Sequence, residues 1–250
     1  MTGSRPDDRP ERTGRAGPTG RTVPTGQIER TGHTVQTERT ERTERTGKED
    51  GTRQLILGHA AAVASTQGLA GISLRGLATD LKLSTSGVFA LFGSQEELQL
   101  ATVQNAVTIY VDHVLKPARA LPAGLGRLWR LCESWIAYSR GRVFPGGCFF
   151  YSTIAEFDAV EGRVHDALVS AQTGWVTFVE QTVEEARVLG ELAEDTDVSQ
   201  LAFEIIAFLE LANAESVLHD NTIGYTKAAR AILGRLRACA TDGSPLPPPP

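Results

Sequence analysis

Apolar positions fall into two regimes along this chain. From Thr52 onward they recur at three- and four-residue spacing, as helices with one buried face require. Before Thr52 they nearly vanish; Val23, Ile28 and Val35 are the only large aliphatic side chains after Met1. The spacing predicts a first helix over 52–68. Leu74, Leu77, Ala78 and Leu81 define a second, with Ser73 placed to cap it, and Leu83 fills the angle before a third. Ser84 caps that third helix, whose apolar face is Val88, Leu91 and Phe92. Ser94 with Glu97 has capping-box spacing and opens a long helix through Leu98, Val103, Val107, Tyr110 and Val114, to be stopped by Pro117. Five more helices follow, over 124–140, a short stretch ending near Phe157, 163–189, 198–219 and 226–239. Strand-like alternation is absent. The expectation is an all-α chain: an N-terminal three-helix head and a six-helix body.

The run from Ile72 to Leu98 reads as short helix, tight turn, short helix, then the start of another. That is the outline of a helix-turn-helix DNA-binding unit. A two-turn helix with a small, hydroxyl-rich N-terminus suits the major groove, about 12 Å wide, where N-terminal residues face the bases. The residues here resemble the TetR family of transcriptional regulators. The likeness covers 52–101 and rests on Gly71-Ile72-Ser73, Ala78, Leu83-Ser84, Gly87-Val88-Phe89, Phe92 and Ser94-x-Glu96-Glu97-Leu98. Three positions depart from the family pattern. Phe89 stands where Tyr is usual, Leu91 where His or Tyr is usual, and Gln95 where a phosphate-binding Lys is usual. By this resemblance Thr85, Ser86, Gly87 and Phe89 should lie nearest the bases, and Arg75, Lys82, Ser84 and Gln95 should address phosphates.

Charge changes the picture of how DNA would be held. The net charge is −5. Residues 51–100 carry three basic and three acidic side chains (Arg53, Arg75, Lys82; Asp80, Glu96, Glu97), so the head is neutral. Phosphate contact would then lean on helix N-termini and hydroxyls, with a shallow salt dependence. Residues 1–51 form a Thr/Arg/Gly-rich segment with a recurring Arg-Thr-Gly and a triple Glu-Arg-Thr. It is too poor in apolar residues for a core and reads as a disordered tail. Either it is a basic arm using Arg42, Arg45, Lys48 and Arg53, or it is inert. Residues 241–250 form a second, Pro-rich disordered tail. Between them, 52–98 is the DNA-binding domain and 99–240 the effector-binding and dimerisation domain.

The body offers less chemistry. Trp129, Phe149, Trp175 and Phe178, with Cys148, Tyr151 and His165 as polar candidates, form the expected ligand pocket; for each aromatic alone, core packing is the competing reading. The resemblance implies a small-molecule effector, of unreadable class, that releases a palindromic operator. Phe203, Ile206, Phe208 and Leu209 on one helix, with Ile232 and Leu236 on the last, make faces too broad for one-sided burial. They fit either a buried central helix or, by resemblance, a homodimer built as a four-helix bundle. The Gly146-Gly147-Cys148-Phe149 turn also resembles one C-terminal subgroup of the family. An enzyme would need a Cys148 nucleophile with His165 as base, and no signature surrounds either. The five histidines and three cysteines show no metal-ligand spacing, so no metal or cofactor is expected. No apolar run approaches the ~18 residues of a membrane span, and the N-terminus has no secretory pattern; the expectation is a cytoplasmic protein. A helical dimeric adaptor with weak or lost DNA binding stays open as the alternative.

Overall fold

The computed structural model describes residues 29–243 and Leu246, with side chains from Gly47 onward. The chain divides between Glu49 and Asp50 into two units, and the functional groups below all belong to the second. Ten α-helical segments follow in order: α1 (Glu29–Gln67), α2 (Leu74–Asp80), α3 (Thr85–Phe92), α4 (Gln95–Tyr110), α5 (Lys116–Arg119), α6 (Leu125–Arg140), α7 (Phe149–Phe157), α8 (Arg163–Val188), α9 (Val198–His219) and α10 (Ile223–Cys239). Among the described residues there is no strand, only two isolated bridges, Phe144 with Gly147 and Leu192 with Ala240.

Two features differ from expectation. Helix α1 starts at Glu29, so residues 29–51 are helical where a tail was expected. The repeat supplies the reason. In sequence it sets Glu38 four residues before Arg42, Glu41 before Arg45 and Glu44 before Lys48, the order that favours helix formation. Residues 1–28, and most of the expected C-terminal tail, lie outside the described residues. Secondly, Pro117 does not stop the long helix. Val111–Leu115 widens into a π turn and α5 continues beyond it. Proline has no N–H and its ring crowds the carbonyl four residues back, here that of His113. One wider turn relieves both problems.

A single apolar core joins head and body. Ile56, Leu77, Ala78 and Val88 lead through Leu98, Val103 and Ala106 of α4 to Leu128, Leu131, Leu201 and Ile205. The Pro145-Gly146-Gly147 turn is wedged where only glycines fit. A Cβ on Gly146 would lie 1.9 Å from the Ser65 carbonyl oxygen of α1. One on Gly147, at φ +84°, would lie 2.1 Å from Asn213 Oδ1 of α9. That Asn213 oxygen accepts from the Cys148 backbone N–H at 2.9 Å and from Ser139 Oγ at 2.7 Å, inside the core. The turn is therefore held by α1 on one side and α9 on the other, and it launches α7 in a fixed direction.

Candidate functional site

The first site is the outer face of α3. Three serines set the helix starts of the head. Ser73 Oγ accepts from Gly76 N at 3.0 Å, Ser84 Oγ from Gly87 N at 3.1 Å, and Ser94 Oγ from Glu97 N at 3.1 Å. Each such cap contributes about 0.5–2 kcal/mol. The capping box at Ser94 is only half made, because the Glu97 carboxylate turns to Arg163 of α8 at 2.6 Å. Val88 and Phe92 are buried, and Arg53 lies 5.2 Å over the Phe92 ring. Thr85, Ser86, Gly87 and Phe89 are exposed, Phe89 by 54%, a large fraction for an aromatic ring. Arg75, Lys82 and Ser84 are exposed beside them. Lys82 turns the chain at φ +56° between the two short helices.

Gln95 is placed differently from expectation. Its Nε2 donates to the Ile72 carbonyl at 2.6 Å, so this amide closes the α1–α2 loop instead of standing free for phosphate. Gly87 also has an internal role. A Cβ there would meet Ser84 Oγ at 2.8 Å, so a side chain at 87 would disturb the α3 cap as well as the outer face of the helix. Arg53, read as part of a basic arm, is engaged with Phe92.

The second site is a cavity of about 290 Å³ in the body. It lies between α4, the π turn, α6, α7, α8 and α9. Tyr110, Trp135, Phe150, Tyr151 and Trp175 supply its aromatic walls. Tyr110 is the hinge of the cluster, meeting Tyr138, Phe150 and Trp175 edge-on at centroid distances of 5.4, 5.6 and 5.5 Å. Burial, then the neighbouring Cys148, Tyr138 and Glu210, hold the Tyr110 phenol well above its ordinary range. The Cys148 thiol is pushed up to about 11, chiefly by burial. A protonated thiol is a poor nucleophile.

Of the expected pocket residues, Cys148, Tyr151 and Trp175 line this cavity, whereas Trp129, Phe149, His165 and Phe178 do not. Phe149 is fully buried behind it, packed on Phe144 and Phe150. Phe178 lies under the Arg119 guanidinium at 4.8 Å, Trp129 is half-buried against the core, and His165 pairs with Asp166 at 3.2 Å. Glu210 of α9 faces the cavity, and burial raises its carboxyl pKa. Nothing local in the sequence distinguishes it from Glu204, which bonds Arg235, or Glu215, which lies 3.6 Å from Lys227. Among the described residues no group of His, Cys, Asp and Glu is placed to hold a metal, and no helix is long and apolar enough to cross a membrane.

Two helices lead from cavity to head. At the start of α4, Gln95 and Gln99 donate to the carbonyls of Ile72 and Leu69, and further along Val107 and Tyr110 line the cavity. Helix α7 lines it with Phe150, Tyr151 and Ile154. Two residues on, Glu156 accepts from Leu69 N at 2.6 Å and Ala70 N at 2.7 Å, just beyond α1. Gly68, at φ +77°, leaves room for this carboxylate; a Cβ would come within 2.4 Å of it. Glu156 escaped sequence reasoning because its partner is 86 residues away.

The expected dimer residues separate into two groups. Leu209, Ile232 and Leu236 are buried within the chain and cannot form an outer face; α9 and α10 bury them against each other and the body. Ile206 and Phe208 are half-buried against the core. Phe203 is 68% exposed and begins an outward stripe on α9 continued by Ala207, Leu211 and Leu218, the last 77% exposed.

These features agree with what the chain resembles. Residues 124–232 match the family described as tetracyclin repressor-like, C-terminal domain. A TetR transcriptional regulator from Chloroflexus aurantiacus J-10-FL superposes with a TM-score of 0.72 at 20% identity, covering 77% of this chain and 98% of that one. AibR, in complex with isovaleryl coenzyme A and operator DNA, superposes at 0.58 with 17% identity, covering 75% and 97%. A regulator from Saccharomonospora viridis in complex with choline superposes at 0.63 with 16% identity, covering 76% and 95%. Among curated proteins, none matches the sequence. Residues 124–232 thus form a tetracyclin repressor-like C-terminal domain, and the chain as a whole has the fold of these TetR regulators.

Proposed function

We propose that the protein is a ligand-responsive regulator that binds a palindromic DNA operator as a homodimer and releases it when a small molecule fills the body cavity. The observation that carries this reading is the outward face of α3. An aromatic ring and two hydroxyls stand exposed on a helix whose N-terminus is capped and whose other face is locked by Val88 and Phe92. A major-groove helix needs that division. Thr85, Ser86 and Phe89 contact bases or sugars, and Arg75, Lys82 and Ser84 contact phosphates. Gly87 allows close approach. That AibR holds an acyl coenzyme A together with operator DNA, and the Saccharomonospora viridis regulator holds choline, supports an effector role for the cavity.

The dimer face is the α9 stripe from Phe203 to Leu218. On α10 the accompanying exposed positions are Ile223, Arg230 and Gly234. Phe203→Glu should yield a folded monomer with lost operator binding, because two-fold symmetry holds the paired half-sites; sedimentation checks the first and gel shift the second. A Phe203→Glu protein that stays dimeric would sink this interface.

The direct test is selection of genomic fragments by the purified protein at moderate salt. An enriched palindrome establishes the regulator. A folded dimer that enriches nothing favours the helical adaptor. The neutral head further predicts that affinity falls only gently with salt, since few phosphates are neutralised.

A further inference from the structure

The cavity walls carry information about charge. Five aromatic rings and several aliphatic side chains surround one carboxylate, that of Glu210. No lysine, arginine or histidine is among the lining residues. Among the described residues Glu210 has neither an ion pair nor a hydrogen bond, unlike Glu204 and Glu215 on the same helix. The titratable groups that feel its charge are Tyr110 and Cys148, whose acids stay protonated and bring no positive charge; the remaining polar lining, Tyr151, Ser170 and Gln172, is neutral. A half-buried carboxylate without a counter-charge is unfavourable. Aromatic faces present negative potential and attract cations within about 6 Å. The two features thus favour the same ligand charge, and both oppose an anion.

We propose that the cavity binds a small organic cation, an alkyl- or arylammonium, with Glu210 as its counter-charge and Tyr110, Trp135, Phe150, Tyr151 and Trp175 as its walls. The inference rests on the reading of this cavity as the effector site. A volume of about 290 Å³, at the small end of the roughly 300–1,000 Å³ typical of ligand sites, limits the cation to fragment size. Tyr151, 41% exposed, is the most solvent-accessible ring of the wall.

The test uses the full-length protein and a panel of quaternary ammonium and protonated amine compounds, each paired with an uncharged isostere such as choline with 3,3-dimethylbutanol. Quenching of Trp135 and Trp175 and calorimetry report binding. The expected result is at least tenfold tighter binding of the cation than of its isostere. Glu210→Gln should erase that preference at unchanged helix content. Tyr151→Leu should weaken cations several-fold and leave the isosteres nearly unaffected. Equal binding of isosteres, an undiminished preference in Glu210→Gln, preferential binding of anions, or no binding across the panel would each overturn the proposal. Operator release is measured separately. A cation that binds through Glu210 yet leaves the operator complex intact upholds the ligand class and removes the effector reading.

Discussion

The face of α3 and the wall of the body cavity use aromatic residues in opposite ways. Phe89 stands out in solvent on a helix already stabilised by Ser84, Val88 and Phe92, so it contributes little to the fold. Phe149, Phe150 and Tyr110 are at once cavity wall, or its backing, and core. A surface built like the first can change its exposed side chains without endangering the fold. A cavity built like the second cannot change one ring without repacking its neighbours, because interiors are close-packed. The difference teaches where function and stability can be separated by mutation.

The largest effect that would break the contrast is on stability. Phe149→Ala should cost about 3–5 kcal/mol, as expected for a fully buried Phe, measured by urea unfolding. Phe89→Ala should stay within about 0.5 kcal/mol while lowering operator affinity about tenfold, or roughly 1.4 kcal/mol. A Phe89→Ala protein as unstable as Phe149→Ala would show that the α3 face is structural.

Next in size is the link between the two regions. The Glu156 carboxylate accepts two backbone N–H groups beyond α1, and hydrogen bonds to a charged group contribute about 1.5–3 kcal/mol. Glu156→Gln keeps one acceptor and turns an NH₂ group toward the other donor. We expect effector binding to be unchanged and effector-driven operator release to weaken several-fold, read by titrating the operator complex with ligand. Release that is fully retained would move the coupling to α4, through Gln95 and Gln99.

The two regions also differ in how far sequence reveals them. The head was legible because its determinants are local. Ser73, Ser84 and Ser94 each cap a donor three residues away, and Val88 and Phe92 share a face by spacing alone. The body helices were legible from the same periodicity, apart from the π turn at Pro117. The cavity was only partly legible. Its wall joins Tyr110, Cys148, Trp175 and Glu210, which meet only after α4, α7, α8 and α9 have packed. Periodicity marks a residue as inward but does not say whether it faces another side chain or a void. The burial of Leu209, Ile232 and Leu236 within one chain was hidden for the same reason: a broad apolar face looks alike whether the chain's own helices or a second copy covers it.

The smallest expected effect is a pH dependence that isolates Glu210 from the rest of the wall. Burial raises its carboxyl pKa in the folded protein above the unfolded value. For an acid shifted upward, the folded state binds the proton more tightly, so stability is highest below the unfolded pKa and declines as pH rises through the folded one. Tyr110 and Cys148, which face Glu210, are both shifted upward and do not titrate in that window. Thermal unfolding between mildly acidic and neutral pH should therefore show a small decline in the native protein that Glu210→Gln removes. A bound cation should reverse the slope, since it favours the charged carboxylate, and ligand-induced stabilisation should grow as pH rises. If Glu210→Gln leaves the slope unchanged, the carboxylate is solvated rather than held against the aromatic wall.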